Sequence, residues 1–154
     1  GKLISKKLKL DFFDIDQQIE KILKMEITEI FDKKGEKFFR EFEEKITLDI
    51  LKKKKLVIAL GGGAFLNKNI RKEILTNHVS FWLNCDDEII LKRIKNSSKR
   101  PLTLNLTKYE LIKLIKKRSD IYSKALYKID CNDLSKNEIV KEILNTYDTN
   151  QIKD

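Results

Sequence analysis

Several residue types are scarce in this chain of 154 residues, and their scarcity excludes whole classes of mechanism. The sequence contains one histidine, one proline, two cysteines and five glycines. Because His78 would have to act alone, mechanisms that need several histidines are excluded. Cys85 and Cys131 stand far apart without the spacing of metal ligands, which favours free thiols in a reducing compartment over a disulfide.

Long apolar runs are also missing. No stretch approaches the roughly 18 apolar residues that can span a bilayer. The lysine-rich start lacks the apolar core and the cleavage site of a secretory signal. We therefore expect a cytoplasmic protein that has no membrane partner.

The charge that is present is mostly lysine and is spread along the chain. The net charge is +9, and the one dense basic run, at residues 52–55, follows a predicted helix, where positive charge suits the negative end of the helix dipole. Such a dispersed surface does not indicate a nucleic-acid partner. With 41% hydrophobic and 37% charged residues, the composition is that of one globular domain, which we expect to cover residues 1–154.

Four short apolar runs alternate with helical patterns, which predicts an α/β fold with a parallel sheet. The predicted strands are Asp11–Asp14, Leu56–Leu60, Val79–Leu83 and Tyr127–Cys131. A long helix from Glu36 to about Lys53 carries an apolar stripe that we expect in the core.

Helix starts and one long loop are marked by polar residues. Asn67 is expected to cap the helix after the glycine run, and residues 107 and 110, like residues 135 and 138, have the spacing of a capping box. The stretch 96–107 contains the only proline, and at about a dozen residues it is long for a simple connection. We predict that it is a lid.

Two motifs stand at the ends of predicted strands, where parallel sheets bind ligands. Gly61, Gly62 and Gly63 follow "LVIAL", and a glycine run there lets a ligand approach the backbone closely, although a tight turn alone would also explain it. In "DFFDID", Asp14 and Asp16 would share a face of an extended strand, where two carboxylates can hold hydrated Mg²⁺ and orient a hydroxyl. Alternatively, Asp16 only caps the next helix.

Arginine is rare, since only five of the 33 basic residues are arginines. An arginine is most understandable where its planar fork grips a carboxylate or a phosphate in bidentate fashion. The five are Arg40, Arg71, Arg93, Arg100 and Arg118. We interpret most of them as candidate anion ligands.

Five segments resemble shikimate kinase, a member of the nucleoside-monophosphate-kinase-like P-loop group: "FFDIDQQIE", "EIFDKKGEKFFREFEE", "VIALGGGAF", "RPL" and "LIKKRSDIY". Their order and intervals agree with that family from Gly1 to the last helix. The resemblance implies a five-stranded parallel sheet flanked by helices, with a lid loop. It also implies a monomeric enzyme that uses ATP and Mg²⁺ to phosphorylate the 3-hydroxyl of shikimate in aromatic amino-acid biosynthesis.

The resemblance assigns roles to residues that would hold the substrate. Asp16 would be a catalytic residue that binds the hydroxyl to be phosphorylated, and Asp14 would lie near the Mg²⁺ shell. Arg40 and Arg118 would clamp the substrate carboxylate. Phe39 would form a wall of the substrate pocket.

The resemblance also assigns the glycine run and two further arginines. Gly62 would offer its backbone to the substrate, with Gly61 and Gly63 shaping the turn. Arg100 in the lid would reach the ATP phosphates and act in catalysis, and Arg93 would lie beside adenine.

Two remaining residues and two departures complete the comparison with the family pattern. Glu43 is expected to brace one of the clamp arginines, whereas Arg71 has no counterpart in this scheme. Thr103 stands where the family usually has a second leucine, and Asp120 and Ile121 stand where it usually has Pro-Leu. The acid near Arg118 weakens that assignment slightly.

No phosphate-binding loop of the form G-x-x-x-x-G-K-[ST] occurs in the 154 residues. We expect this loop and a strand, about fifteen to twenty residues, to precede Gly1 in a longer protein. In the family that strand is first and central in the sheet, so its absence would leave two neighbouring strands with open edges. We predict that the printed chain alone is poorly stable and inactive.

Two other readings remain open at the level of sequence. Another small-molecule P-loop kinase, such as a gluconate kinase, would share the sheet and the lid but not the clamp of Arg40 and Arg118. A non-catalytic shikimate-kinase-like binding domain would share the site but lack the phosphate-binding loop. A basic nucleic-acid binder, with strongly salt-dependent affinity, ranks last.

Overall fold

The computed structural model describes residues 1–95 and 106–151, which form seven α-helices, one short 3-10 helix (Ala64–Leu66) and four strands. The helices are α1 (Lys2–Leu8), α2 (Ile15–Leu23), α3 (Ile27–Leu51), α4 (Lys68–Asn77), α5 (Asp87–Lys95), α6 (Lys108–Tyr122) and α7 (Lys136–Gln151). The strands are β1 (Asp11–Asp14), β2 (Leu56–Ala59), β3 (Phe81–Asn84) and β4 (Tyr127–Asp130). Arg100 and most of the predicted lid lie outside the described residues.

The strands form two parallel pairs, β1 with β2 and β3 with β4. Asp14 is in register with Ala59, and Asn84 with Asp130. The predicted α/β fold is confirmed, and each predicted strand lies within two residues of an observed one. In the described part of the chain β2 and β3 do not pair with each other. Leu83, on β3, is 51% exposed.

Side-chain caps fix where the helices begin. Asn67 accepts hydrogen bonds from the backbone N–H groups of residues 69 and 70, which confirms the predicted cap of α4. Thr107 and Glu110 form the predicted capping box of α6. Ser135 and Glu138 exchange the same pair of hydrogen bonds at the start of α7. The local sequence therefore determines these three helix starts.

The helix α3 starts earlier than the pattern predicted, at Ile27 rather than Glu36, and is interrupted at Gly35. Gly35 has a φ of 80° and a ψ of 166°, a conformation that favours glycine. The predicted helix is thus the second part of α3. Its predicted stripe is correct, since Phe39 and Ile50 are buried in the core with Ile15.

Each strand pair has a hydrophobic cluster of its own. One cluster packs α2 and α3 around β1 and β2, with Ile15, Ile19 and Ile30 fully buried. A second cluster joins β3, β4 and α7 through Ile129 and Ile143. No helix in the described ranges is long and apolar enough to cross a membrane.

Candidate active site

The glycine run follows β2 and lies against three charged side chains from three different helices. A Cβ added at Gly61 would lie 2.6 Å from an Oδ atom of Asp16 in α2. One added at Gly63 would overlap the guanidinium of Arg40 in α3. Gly62 faces Arg118 of α6, whose Nη1 would lie 3.7 Å from such an atom. The run therefore brings three predicted site residues to one place, and the first and third glycines leave room for charged groups.

One of these residues, Arg40, forms an ion pair with a buried carboxylate. Arg40 donates from Nη1 to Oε2 of Glu43 at 2.7 Å, and the Glu43 side chain is only 3% exposed. Burial raises the pKa of Glu43; Arg40 acts in the opposite direction, Asp16 raises the pKa and Arg118 lowers it. The pKa of Glu43 therefore depends on all three charged groups around the glycine run, and the four side chains form one electrostatic cluster.

Arg118 has a donor that the described residues leave unsatisfied. Its Nε atom is buried and has no hydrogen-bond partner within residues 1–95 and 106–151. A buried guanidinium N–H without an acceptor is costly, and a bound anion would relieve that cost. Because Arg40 and Arg118 face adjacent glycines, the unsatisfied donor lies in a place suited to a carboxylate.

The two aspartates do not share the face of an extended strand, and that prediction was wrong. β1 ends at Asp14 and α2 begins at Ile15, so the helical period replaces the strand period between the two carboxylates. Asp14, rather than Asp16, caps α2 by accepting a hydrogen bond from the backbone N–H of Gln17 at 3.2 Å. Asp16 lies in the first turn of α2 and faces Gly61.

A metal site made wholly from protein side chains is not found in the described part of the chain. No group of three or more His, Cys, Asp or Glu residues there could hold a metal ion. The single carboxylate of Asp14 at the end of β1 instead suits Mg²⁺ that keeps most of its waters and its phosphate ligands.

The two remaining predicted residues in the described ranges lie apart, with Phe39 in the core beside Arg40 and Arg93 on α5 beside Cys85. Phe39 is 3% exposed and packs on Phe31, with their ring centroids 4.7 Å apart. The guanidinium of Arg40 lies 5.1 Å from the centroid of the Phe39 ring, so Phe39 supports Arg40 from the core. Arg93, on α5, donates a hydrogen bond of 3.5 Å to the sulfur of Cys85, the residue that follows β3.

The carboxyl ends of β3 and β4 are joined by polar pairs that the sequence did not reveal. The Asn84 amide donates to Asp130 at 2.7 Å. Asn132 accepts from the backbone N–H of Asp86 at 2.7 Å and donates to its carboxylate at 2.8 Å. These contacts fix the two loops beside Arg93, which the resemblance places near adenine.

The two cysteines follow these strands and are neighbours, which their separation in sequence concealed. Cys85 and Cys131 are 6% and 3% exposed, respectively, and both are free. Burial raises the pKa of the Cys131 thiol, with Cys85 acting in the same direction and Arg93 against it. The prediction of free thiols is confirmed.

Two residues outside the predicted set hold the glycine run in place. Arg71 donates from Nη1 to the carbonyls of Phe65 and Leu66, each at 2.9 Å, and so fastens the turn after the glycines. Tyr122 donates its phenolic hydrogen to the carbonyl of Gly62. In the sequence, Tyr122 is the tyrosine that ends the family-like segment "LIKKRSDIY", one helical turn after Arg118, and no role was predicted for it.

The sequence and the fold agree with those of known proteins. A family model described as shikimate kinase matches residues 1–148. The chain belongs to the shikimate kinase family. The shikimate kinase of Thermodesulfovibrio yellowstonii is 41% identical over 149 residues, which cover 96% of this chain and 86% of that protein. The Bacillus subtilis shikimate kinase is 40% identical over 148 residues, covering 95% and 80%, respectively.

Solved structures of the family agree with this membership. The crystal structure of shikimate kinase from Aquifex aeolicus has a TM-score of 0.87 at 32% identity, over 100% of this chain and 90% of that one. Shikimate kinase from Acinetobacter baumannii in complex with shikimate has a TM-score of 0.90 at 29% identity, over 97% and 85%. The predicted family and its enzyme class, an ATP:shikimate phosphotransferase, are confirmed, and the gluconate-kinase-like and non-catalytic alternatives are not favoured.

Proposed function

We propose that Asp16, Arg40 and Arg118 form the shikimate site of an enzyme that transfers the terminal phosphoryl group of ATP to the 3-hydroxyl of shikimate. The observation that carries the proposal is the buried, unsatisfied Nε of Arg118 beside Arg40. Two guanidinium groups around one loop suit an anionic acid, and an acceptor from a carboxylate would satisfy the orphaned donor.

The substrate carboxylate would lie between Arg40 and Arg118. Glu43 holds one terminal nitrogen of Arg40 at 2.7 Å, and Phe39 lies under the same guanidinium. These contacts restrict the rotation of Arg40, so less freedom is lost when the acid binds. Phe39 would thus act mainly through Arg40, in addition to its proposed place at the pocket wall.

The reacting hydroxyl would lie at Asp16, on the other side of the glycine run. An aspartate there can accept a hydrogen bond from the alcohol, aim its oxygen at the phosphorus atom and take its proton. Phosphoryl transfer depends mostly on such positioning and on neutralising charge. Asp16 is accordingly the proposed catalytic residue, with Gly62 and its neighbours presenting the backbone to the acid.

ATP would bind on the side of β3 and β4. Arg93, beside the loops that Asn132 and Asp86 fasten together, would lie near adenine. Arg100, outside the described residues, would neutralise charge on the phosphates from the lid. Mg²⁺ would supply charge neutralisation at the phosphates, and Asp14 fits a role in holding its water shell. The cytoplasmic location and the monomeric state expected from the sequence stay predictions.

A direct test is ADP formation from ATP and Mg²⁺ by the protein as its gene encodes it. We expect strong stimulation by shikimate and none by gluconate. Asp16→Asn should abolish the stimulation while shikimate still binds, because the amide cannot accept the hydroxyl proton. A folded protein that neither acid stimulates would refute the proposal.

A further inference from the structure

We propose that Tyr122 is a positioning residue that aims the backbone N–H of Gly63 at the substrate. This inference rests on the proposed function and names a residue that the resemblance left without a role. Its basis is one hydrogen bond that spans 60 positions in the sequence, from the Tyr122 hydroxyl to the carbonyl of Gly62.

The three glycine carbonyls are all occupied by donors from the protein. The carbonyl of Gly61 accepts from the N–H of Ala64 at 3.3 Å, and the carbonyl of Gly63 accepts from the N–H of Leu66 at 3.0 Å. Both of these bonds belong to the local turn. The carbonyl of Gly62 accepts from Tyr122, a side chain on a different element. Tyr122 is therefore the external support of this loop.

The N–H groups of the run lie beside the two guanidinium groups, because Gly62 faces Arg118 and Gly63 lies against Arg40. Backbone N–H groups at the end of a strand can form an anion-binding concavity. These two groups therefore suit the oxygens of an acid held by Arg40 and Arg118.

Peptide planarity links the Tyr122 bond to one of those N–H groups. The carbonyl of Gly62 and the N–H of Gly63 belong to one trans peptide unit and point in opposite directions. Holding the carbonyl toward α6 therefore turns the N–H of Gly63 away from α6. The glycines lack a Cβ that would restrict rotation of this peptide, so without the phenol it would have more freedom.

The surroundings of Tyr122 make it a rigid support. Its ring lies between Phe65 and Trp82, with both ring centroids 6.4 Å away. Arg118, one turn earlier on α6, faces the same glycine. One helix face thus carries both the proposed ligand of the carboxylate and the group that orients the neighbouring peptide.

The test compares Tyr122→Phe with Tyr109→Phe in the protein as its gene encodes it. Tyr109 lies on the same helix and is 76% exposed, so its substitution is a matched control. We expect Y122F to raise the KM for shikimate about five- to tenfold, as for one lost hydrogen bond, with the KM for ATP unchanged. Y109F should leave both constants at wild-type values.

A merely structural role of Tyr122 would give a different result. Loss of thermal stability with an unchanged KM for shikimate, or an equal rise in both KM values, would overturn the inference. If the wild-type protein itself does not phosphorylate shikimate, the proposed function fails, and that result is distinguishable from an active wild type with an unaffected Y122F.

A second measurement does not depend on the variant folding. The chain has five glycines, so a protein labelled with ¹⁵N-glycine gives few amide signals. Addition of shikimate without ATP should shift the assigned amide proton of Gly63 in the wild type. A Gly63 signal that stays in place while shikimate saturates the protein would overturn the inference.

Discussion

Arg40 and Glu43 form an ion pair at 2.7 Å, one turn apart on α3, in which the carboxylate is almost wholly buried and the guanidinium is 30% exposed. Burial removes hydration from the carboxylate that the neighbouring Arg40 and Arg118 replace only in part, and so the pKa of Glu43 is raised. In return, Glu43 fixes the guanidinium over Phe39 and beside Gly63. The ion pair thus holds Arg40 in position, while burial of the Glu43 carboxylate lowers the free energy of unfolding.

The raised pKa of Glu43 predicts a pH dependence of stability that Glu43→Gln should remove. A carboxyl whose pKa is higher in the folded state binds more protons when folded, so its contribution to the free energy of unfolding falls as pH rises. The fall begins near the ordinary glutamate pKa of about 4.3 and ends above the raised value. Urea unfolding between pH 4 and pH 7 should show this decline in the wild type and not in E43Q. Glu41→Gln, an exposed change on the same helix, is the control; equal pH dependence of wild type and E43Q would contradict the prediction.

A second prediction separates the shape of Arg118 from its charge. Arg118→Lys keeps the positive charge but loses the planar fork and the Nε donor, so we expect the KM for shikimate to rise at least about tenfold. Lys117→Arg makes the reverse exchange at the exposed residue directly before Arg118 and should leave the KM for shikimate unchanged. Steady-state kinetics with shikimate and ATP varied separately will measure both. Full activity of R118K would mean that Arg118 provides only charge.

Local signals in the sequence predicted the elements well, because each rests on short-range physics. The caps at Asn67 and Thr107 and the strand after residue 55 depend on neighbouring residues alone. The approach of Arg40 to Gly63 and of Cys85 to Cys131 depends on tertiary packing, which periodicity does not encode. The family resemblance predicted that Arg40 and Gly63 belong to one site. The contact of Cys85 with Cys131 and the hydrogen bond of Tyr122 were found only in the structure.

The same distinction explains the error at Asp14 and Asp16. The predicted strand ended at Asp14, but the pairing of Asp14 with Asp16 assumed that the backbone stays extended as far as Asp16. The hydrogen bond from the Gln17 N–H to Asp14 shows that the helix is capped at Asp14, two residues before Asp16. Arg71 remained unexplained for a related reason, because its acceptors are backbone carbonyls that carry no side-chain signature.

The glycine run supplies a third prediction, since its members differ in the space around them. Gly63→Ala would force the Arg40 guanidinium away from its 2.7 Å bond with Glu43, and Gly61→Ala would displace the Asp16 carboxylate. Because the displaced atoms are the ends of flexible side chains rather than a rigid core, we expect each substitution to lower the free energy of unfolding by only about 0.5–1.5 kcal/mol. Gly62→Ala meets only an ordinary contact at 3.7 Å and should cost less than about 0.5 kcal/mol. Urea unfolding of the three variants decides this, and an equal cost at all three positions would show that the contacts do not set it.

The paired thiols beside Arg93 lead to a last prediction, about their reactivity. A disulfide reagent such as DTNB reacts with the thiolate, and burial both raises the pKa of Cys131 and shields both sulfurs. The native protein should therefore react slowly at pH 7, and faster as pH rises past the ordinary thiol value of about 8.5. In denaturing urea both thiols should react rapidly. The ratio of the native to the unfolded reaction rate therefore measures how far the fold protects the thiols from DTNB. Cys85→Ser and Cys131→Ser variants assign the two rates. Two rapidly reacting thiols in the native protein at pH 7 would mean that the carboxyl ends of β3 and β4 open readily, in conflict with the polar pairs that join Asn84 to Asp130 and Asp86 to Asn132.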